Sequence, residues 1–180
     1  MSVTDNNIIS SFGTISEDKF KVLSQRSAQV LDKEGCLDER ITKIVRQLNT
    51  LSDIVTVWSC SGHTEEEYKA RGSEVSENRR EKSHVIFCIT EKGFNHLKLL
   101  SEIIKEYIDD FANTKRSMYR PHLKQLYLRW CFDDCISDEW YPVWEIELYG
   151  GNFTKVVREA KQFWDYLYDK IKEVKNNGYV

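Results

Sequence analysis

Two rhythms of apolar and polar residues run along this chain and lay out its elements. In four stretches, 54–60, 84–90, 126–132 and 142–149, apolar positions recur every second residue, the period of a strand whose side chains alternate between two faces. Elsewhere they recur at helical spacing. Phe20, Leu23, Ser27, Val30 and Leu31 form one stripe, opened by Ser16 as a cap with Glu17 and Asp18 in the first turn, and stopped by Gly35. Ile41, Ile44, Val45, Leu48 and Leu51 form a second behind the cap Asp38. Leu97, Leu100, Ile104, Tyr107, Ile108 and Phe111 predict a helix near 92–112. Val156, Ala160, Phe163, Leu167, Ile171 and Val174, capped by Asn152, predict another near 153–174.

The order is two helices, then strand–strand–helix twice. It predicts an α+β fold: a two-layer arrangement on a mainly antiparallel four-stranded sheet, with helices 92–112 and 153–174 on one face and two leading helices. No Pro/Gly/Ser-rich linker interrupts it. The chain therefore reads as a single domain, 1–180, with a loose leader over 1–15, a helical hairpin over 16–52 and an α+β core over 54–175.

Alternation also predicts which side chains share a face. Val55, Val57, Val85, Phe87, Ile89, Leu126, Leu128, Trp130, Trp144, Ile146 and Leu148 are expected under the helices. The opposite set is Thr56, Trp58, Cys60, His84, Ile86, Cys88, Tyr127, Arg129, Cys131, Val143, Glu145, Glu147 and Tyr149. That second face mixes aromatics, thiols, imidazole, guanidinium and carboxylates and holds little Lys, Thr or Ser. It reads as a lined surface: a ligand groove, a dimer interface, or a face partly covered by the leading helices.

Composition narrows the partners. With 41% hydrophobic and 31% charged residues the chain is globular, and a net charge of −3 argues against broad nonspecific nucleic-acid binding. No apolar run is long enough to cross a bilayer, and Met1–Asn7 has neither a basic nor an apolar region, so neither a membrane segment nor a signal peptide is expected. Five cysteines, an odd count without framework spacing, suit reduced thiols in a cytoplasm.

The chemistry concentrates in Trp58-Ser59-Cys60-Ser61-Gly62-His63, where small polar residues leave a β-branched strand together. Such a turn presents hydroxyls, a thiol and backbone N–H groups with little bulk in the way. Gly62 permits positive φ, and His63 titrates near neutrality. The same residues also suit a tight turn whose serines bond their own backbone. Three kinds of chemistry arise around it. Zinc could use Cys60, His63, Cys131 and Cys135, with Cys88 on the same face, but neither pair is a knuckle and no metal is expected. Cys60 could be a nucleophile beside His63 or His84, yet no third orienting group is visible. Glu145 and Glu147 sit one pleat apart, suited to acid–base work or to a structural ion pair with Arg129.

Two loops complete the picture. Residues 61–83 carry Glu65, Glu66, Glu67, Arg71, Arg79, Arg80 and Lys82 with almost no apolar anchor, and read as a mobile flap or as disorder. Residues 113–125 hold no acid, and Tyr119, Arg120 and His122 there could hold a phosphate or simply be solvated.

The run from Leu37 to Asn49 leading into Ile54–His63 resembles the N-terminal part of the tRNA wybutosine-synthesising methyltransferase family, over residues about 37–90. Those proteins carry an acidic-capped helix ending near an Asn and a strand ending Ser-Cys-Ser-Gly-Arg. His63 stands here where they have arginine, and 113–180 shows no match to their later motifs. The resemblance implies that Ser59, Cys60, Ser61 and Gly62 line a ligand site. It also implies a reaction in which S-adenosylmethionine methylates a guanine-derived tRNA base.

The leading expectation is a small-molecule binding protein for a nucleotide-type ligand, without turnover and without a cofactor, sequestration being one form of this. Trp58 and Tyr127 would stack on a flat ring, Arg129 and Arg120 would take anionic groups, and His63 or His84 would hydrogen-bond a base or sugar. The competitors are a methyltransferase acting on a modified nucleoside or tRNA with S-adenosylmethionine, and a homodimeric interaction module.

Overall fold

A computed structural model describes residues 13–33, 37–74, 80–112, 119–130 and 136–177. Among these residues five α-helices and a four-stranded antiparallel sheet make up an α+β fold, as the periodicity predicts. The helices are α1 (Glu17–Leu31), α2 (Glu39–Leu48), α3 (Glu65–Ala70), α4 (Phe94–Tyr107) and α5 (Phe153–Asn176). The strands are β1 (Ile54–Cys60), β2 (Glu81–Ile89), β3 (His122–Trp130) and β4 (Ile136–Gly150), in the order β1-β2-β4-β3.

The caps read from sequence hold. The Ser16 hydroxyl accepts from the Lys19 N–H, an Asp38 carboxylate oxygen from the Arg40 N–H at 2.9 Å, and Asn152 from the Lys155 N–H at 2.9 Å. Val85↔Ile146 and Ser83↔Leu148 set the register between the two inner strands. Their apolar side chains, with Phe87, Ile89 and Ile54, pack under Ile44 and Leu48 of α2, Leu100 of α4, and Phe163, Leu167 and Ile171 of α5. On the opposite face, Leu23 of α1 and Ile15 cover Val55, Ile86, Cys88, Tyr141 and Val143. The Lys19 ammonium sits 3.8 Å from the centre of the Tyr141 ring there. α1 covers the apolar half of this second face; the polar half carries the candidate site.

The expected facial sets need two corrections. Val55 and Val57 pack with the second cluster, and Thr56 is buried toward α2, where the Asn49 amide donates to its hydroxyl and accepts from its N–H at 2.9 Å. A bulge between Thr56 and Trp58 then restores Trp58 and Cys60 to the second face, opposite Ile86 and His84. Leu126 and Leu128 likewise join the second cluster, because Leu126 pairs with Val143 and Leu128 with Tyr141. Period-2 alternation sorts residues within a strand; only pairing decides which set faces which side. Cys131 lies outside the described residues.

Residues 61–83 are not a plain loop. Thr64 opens α3 with a capping box, its hydroxyl accepting from the Glu67 N–H at 3.2 Å while the Glu67 carboxylate accepts from the Thr64 N–H at 2.7 Å. Tyr68 anchors the helix edge-on to Phe153 at 5.7 Å between ring centres. Arg79 lies outside the described residues.

Phe87, fully buried between the layers, tests the inner-strand assignment. Phe87→Ala should cost about 3–5 kcal/mol in urea unfolding, whereas Tyr127→Ala, at a position 49% exposed, should stay within about 0.5 kcal/mol. Equal losses would mean the β3 register is wrong.

Candidate functional site

Where β1 ends, the Ser59–His63 turn is tied down from three directions. Gly62 takes a φ of +82°, the left-handed conformation its lack of a side chain permits. From α2, the Asp38 carboxylate accepts from the Ser61 hydroxyl and from the Arg40 guanidinium at 2.8 and 3.1 Å. Burial pushes the Asp38 carboxyl up, but the hydrogen bonds from Arg40 and Ser61 outweigh it and hold it at about 2. Arg40 also reaches Glu67 of α3 at 3.1 Å. From β2, the buried Glu81 carboxylate accepts from the His63 N–H at 2.8 Å and from the Tyr68 hydroxyl at 2.9 Å. From α5, the Trp164 indole donates to the Ser83 hydroxyl at 2.8 Å, which donates to the Cys60 carbonyl at 3.1 Å.

This geometry decides what Cys60 and His63 can do. The Arg71 guanidinium lies 2.9 Å from His63 Nε2 and can only donate, so Nε2 accepts and the ring proton sits on Nδ1. Nδ1 faces both Glu81 at 3.6 Å and the Cys60 sulfur at 3.7 Å. A base for Cys60 would need a bare nitrogen toward the sulfur. Burial, with Glu81 and Asp38 nearby, pushes the thiol up despite the Gly62 N–H it accepts at 3.4 Å. Cys60 is therefore held as a neutral thiol.

Beside the turn the open half of the sheet carries two transverse rows, Cys60–His84–Glu147–His122 and Trp58–Ile86–Glu145–Lys124, read across the four strands. Glu145 and Glu147 are 0% and 6% exposed, and two half-exposed lysines close a ring of ion pairs over them. Lys82 reaches Glu145 at 2.7 Å and Glu147 at 3.6 Å; Lys124 reaches Glu147 at 2.6 Å and Glu145 at 3.3 Å. Burial raises the Glu145 carboxyl, but its lysine bonds outweigh this and hold it below the usual range. Burial, reinforced by Lys82 and Lys124, pushes His84 down to about 4, so it stays neutral, and its Nδ1 is buried without a hydrogen bond. Trp58 and Tyr149, 48% and 39% exposed, flank the array.

The structure thus brings Trp58, Ser59, Cys60, Ser61, Gly62, His63, His84 and Glu145 into one region. Arg120 is exposed just ahead of β3. Tyr127 and Arg129 are not brought in. Tyr127 alternates away from Leu126 and Leu128, and the Arg129 guanidinium lies 5.7 Å over the exposed Trp140 ring. The partners of Glu145 and Glu147 are Lys82 and Lys124, not Arg129. Sequence reasoning missed Glu81 and Lys124 as site residues, and both sit at apolar-run boundaries where no local pattern marks them. It also missed α3, although Thr64-x-x-Glu67 is a visible capping signature.

Cys88 is fully buried in the α1-covered cluster, its thiol pushed up to about 12 by burial, and lies four β2 residues from His84, about 13 Å. It shares no site with Cys60. Among the described residues no group of three His, Cys, Asp or Glu side chains is placed to hold a metal, and Cys135 lies outside them. None of the family models, curated proteins or solved structures compared with the chain matches it.

His84 makes stability pH-dependent with a definite sign. Its folded pKa of about 4 lies below the ordinary value of about 6.5, so its contribution is complete above pH 6.5 and is lost as the pH falls toward 4. Urea unfolding should show a loss of roughly 2–3 kcal/mol across that window, and His84→Gln should flatten it. The Asp38 contribution disappears only at lower pH, between about 4 and 2.

Proposed function

We propose that this chain is a small-molecule binding protein for a nucleotide-type ligand, held without turnover on the polar half of the open sheet face beside the Ser59–His63 turn. The observation that carries this reading is the Lys82–Glu145–Lys124–Glu147 ring on the half of this face that no helix among the described residues covers, flanked by exposed Trp58 and Tyr149. Buried ion pairs contribute little to net stability compared with apolar residues of the same volume, and the other half of this face is closed with apolar residues. A chain that keeps charges here keeps them for a ligand.

The roles follow from position. Trp58 offers a flat apolar surface to a base ring, and the half-exposed Lys82 and Lys124 ammoniums offer charge to a phosphate. The carboxylates beneath hold those ammoniums in place, and His122, exposed at the end of its row, can bond a sugar or base edge. The neutral Cys60 thiol and the His63 proton on Nδ1 support binding over covalent chemistry. Among the described residues no helix is long and apolar enough to cross a membrane, and Cys60 and Cys88 are free thiols. Both support placing the protein in the cytoplasm.

Native mass spectrometry of freshly purified protein tests the reading. A retained mass in the nucleotide range is expected. Trp58→Ala should weaken rebinding roughly 5- to 150-fold, since one stacked base contributes about 1–3 kcal/mol, and Tyr127→Ala should leave it unchanged. Retained S-adenosylmethionine would instead make the chain a methyltransferase. A ligand-free dimer that Trp58→Ala dissociates would make the face an interface.

A further inference from the structure

We propose that the ligand of the open sheet face is a dinucleotide, two nucleosides joined through one phosphodiester. One base lies on Trp58, the other on the Tyr149–His122 pair, and the phosphate sits between them over Lys82 and Lys124. This rests on the reading of the face as a nucleotide site and names what that site selects.

Two separate aromatic platforms carry the argument. Trp58 stands on β1, and its row crosses Ile86 of β2 to reach Glu145 of β4. Tyr149 follows Glu145 by four residues on β4, and its ring lies 5.9 Å from the exposed His122 ring at an interplanar angle of 32°. Two strand spacings in one direction and four residues in the other put the platforms about 16 Å apart. Neighbouring bases in a stack are only about 3.4 Å apart, so one base or one stacked pair does not reach both. Two splayed nucleosides do, in the way that unstacked bases of a single strand lie on separate aromatic side chains. The Lys82 and Lys124 ammoniums, bonded to Glu145 and Glu147, stand between the platforms, where the linking phosphate of such a ligand falls.

Charge selects the diester. Each lysine bonds both glutamates, so two cations lie over two anions and the ring as a whole is neutral. A terminal phosphate brings a charge of about −1.5 to −2 near neutral pH, and a linking phosphodiester brings about −1. The half-exposed ammoniums can face one such charge, whereas a second would meet the buried carboxylates with nothing to offset it. His84, in the row that joins Cys60 to His122, stays neutral and adds no cation. The chain's net charge of −3 works against a longer polyanionic strand, which leaves the free dinucleotide.

Isothermal titration calorimetry of the full chain tests this, with the linear dinucleoside monophosphates ApA, GpG, CpC and UpU set against AMP, GMP, CMP and UMP. At least one dinucleotide should bind roughly 5- to 150-fold more tightly than its mononucleotide, the gain from one further stacked base. Tyr149→Ala, at an exposed position, should remove that gain and leave the mononucleotide, held at Trp58, unchanged. Tyr149→Phe keeps the ring and should keep the gain, which separates stacking from any disturbance of β4. Trp58→Ala should weaken both ligands. A hexanucleotide of the same base should bind no more tightly than its larger number of dinucleotide steps explains; tighter binding would make the ligand an RNA strand and overturn the proposal. A mononucleotide that binds as well as the dinucleotide, or a gain that survives Tyr149→Ala, would overturn the dinucleotide and leave the nucleotide site standing. Absence of binding by all eight probes would overturn both.

Discussion

The pairing of β2 with β4 is the constraint on which the rest of the molecule depends. Val85 opposite Ile146 and Ser83 opposite Leu148 turn both side chains of each pair toward the helix-covered core. The same register forces His84, Glu145 and Glu147 together on the other side, because the pleat sends alternate residues to opposite faces. A slip of one residue would drive the carboxylates under α5 and the aliphatics into water. Core and polar array are thus two faces of one interaction, and neither can be altered without the other.

Charge on that second face is handled by proximity. The carboxylates of Glu145 and Glu147 are taken out of water, and each is matched by both lysines. The ammoniums remain half exposed, so the face presents cations to solvent while the anions that orient them stay beneath. His84, in the same row as Glu147, is kept neutral by burial and by the same lysines. The carboxylates form the buried base of the array and the half-exposed ammoniums its top.

The turn at the end of β1 is organised on a different principle. Its hydroxyls and N–H groups are spent within the protein, on Asp38, Glu81 and the Ser83–Trp164 relay. Three helices meet there, through Asp38 at the start of α2, Tyr68 in α3 and Phe153 opening α5. The turn therefore contributes position more than free donors. It holds Cys60 and Trp58 at the edge of the array, with Trp58 raised toward solvent by the bulge before it.

Much of this was legible from residue order. Spacing alone determined four helices, four strands and their sequence, because burial of one stripe or one face is a local demand that leaves a local period. The caps Ser16, Asp38 and Asn152 were equally visible, since an N-cap is a bond between residues three apart or fewer. Gly62 was legible as a residue able to take left-handed φ, and the clustering of Trp58–His63 with His84 and Glu145 followed from adjacency and antiparallel strands. The absolute facing of each strand was not legible. Alternation carries no sign, and the bulge at Thr56/Trp58 and the pairing of Leu126 with Val143 supply it only in three dimensions. The partners of the carboxylates were hidden for the same reason: Lys82 and Lys124 lie 63 and 23 residues away in chain from the glutamates they bond most closely, and only sheet pairing brings them there. Periods and caps are written in the chain because they arise within a few residues; facing, charge pairing and cavities arise between distant segments, and the tertiary structure decides them.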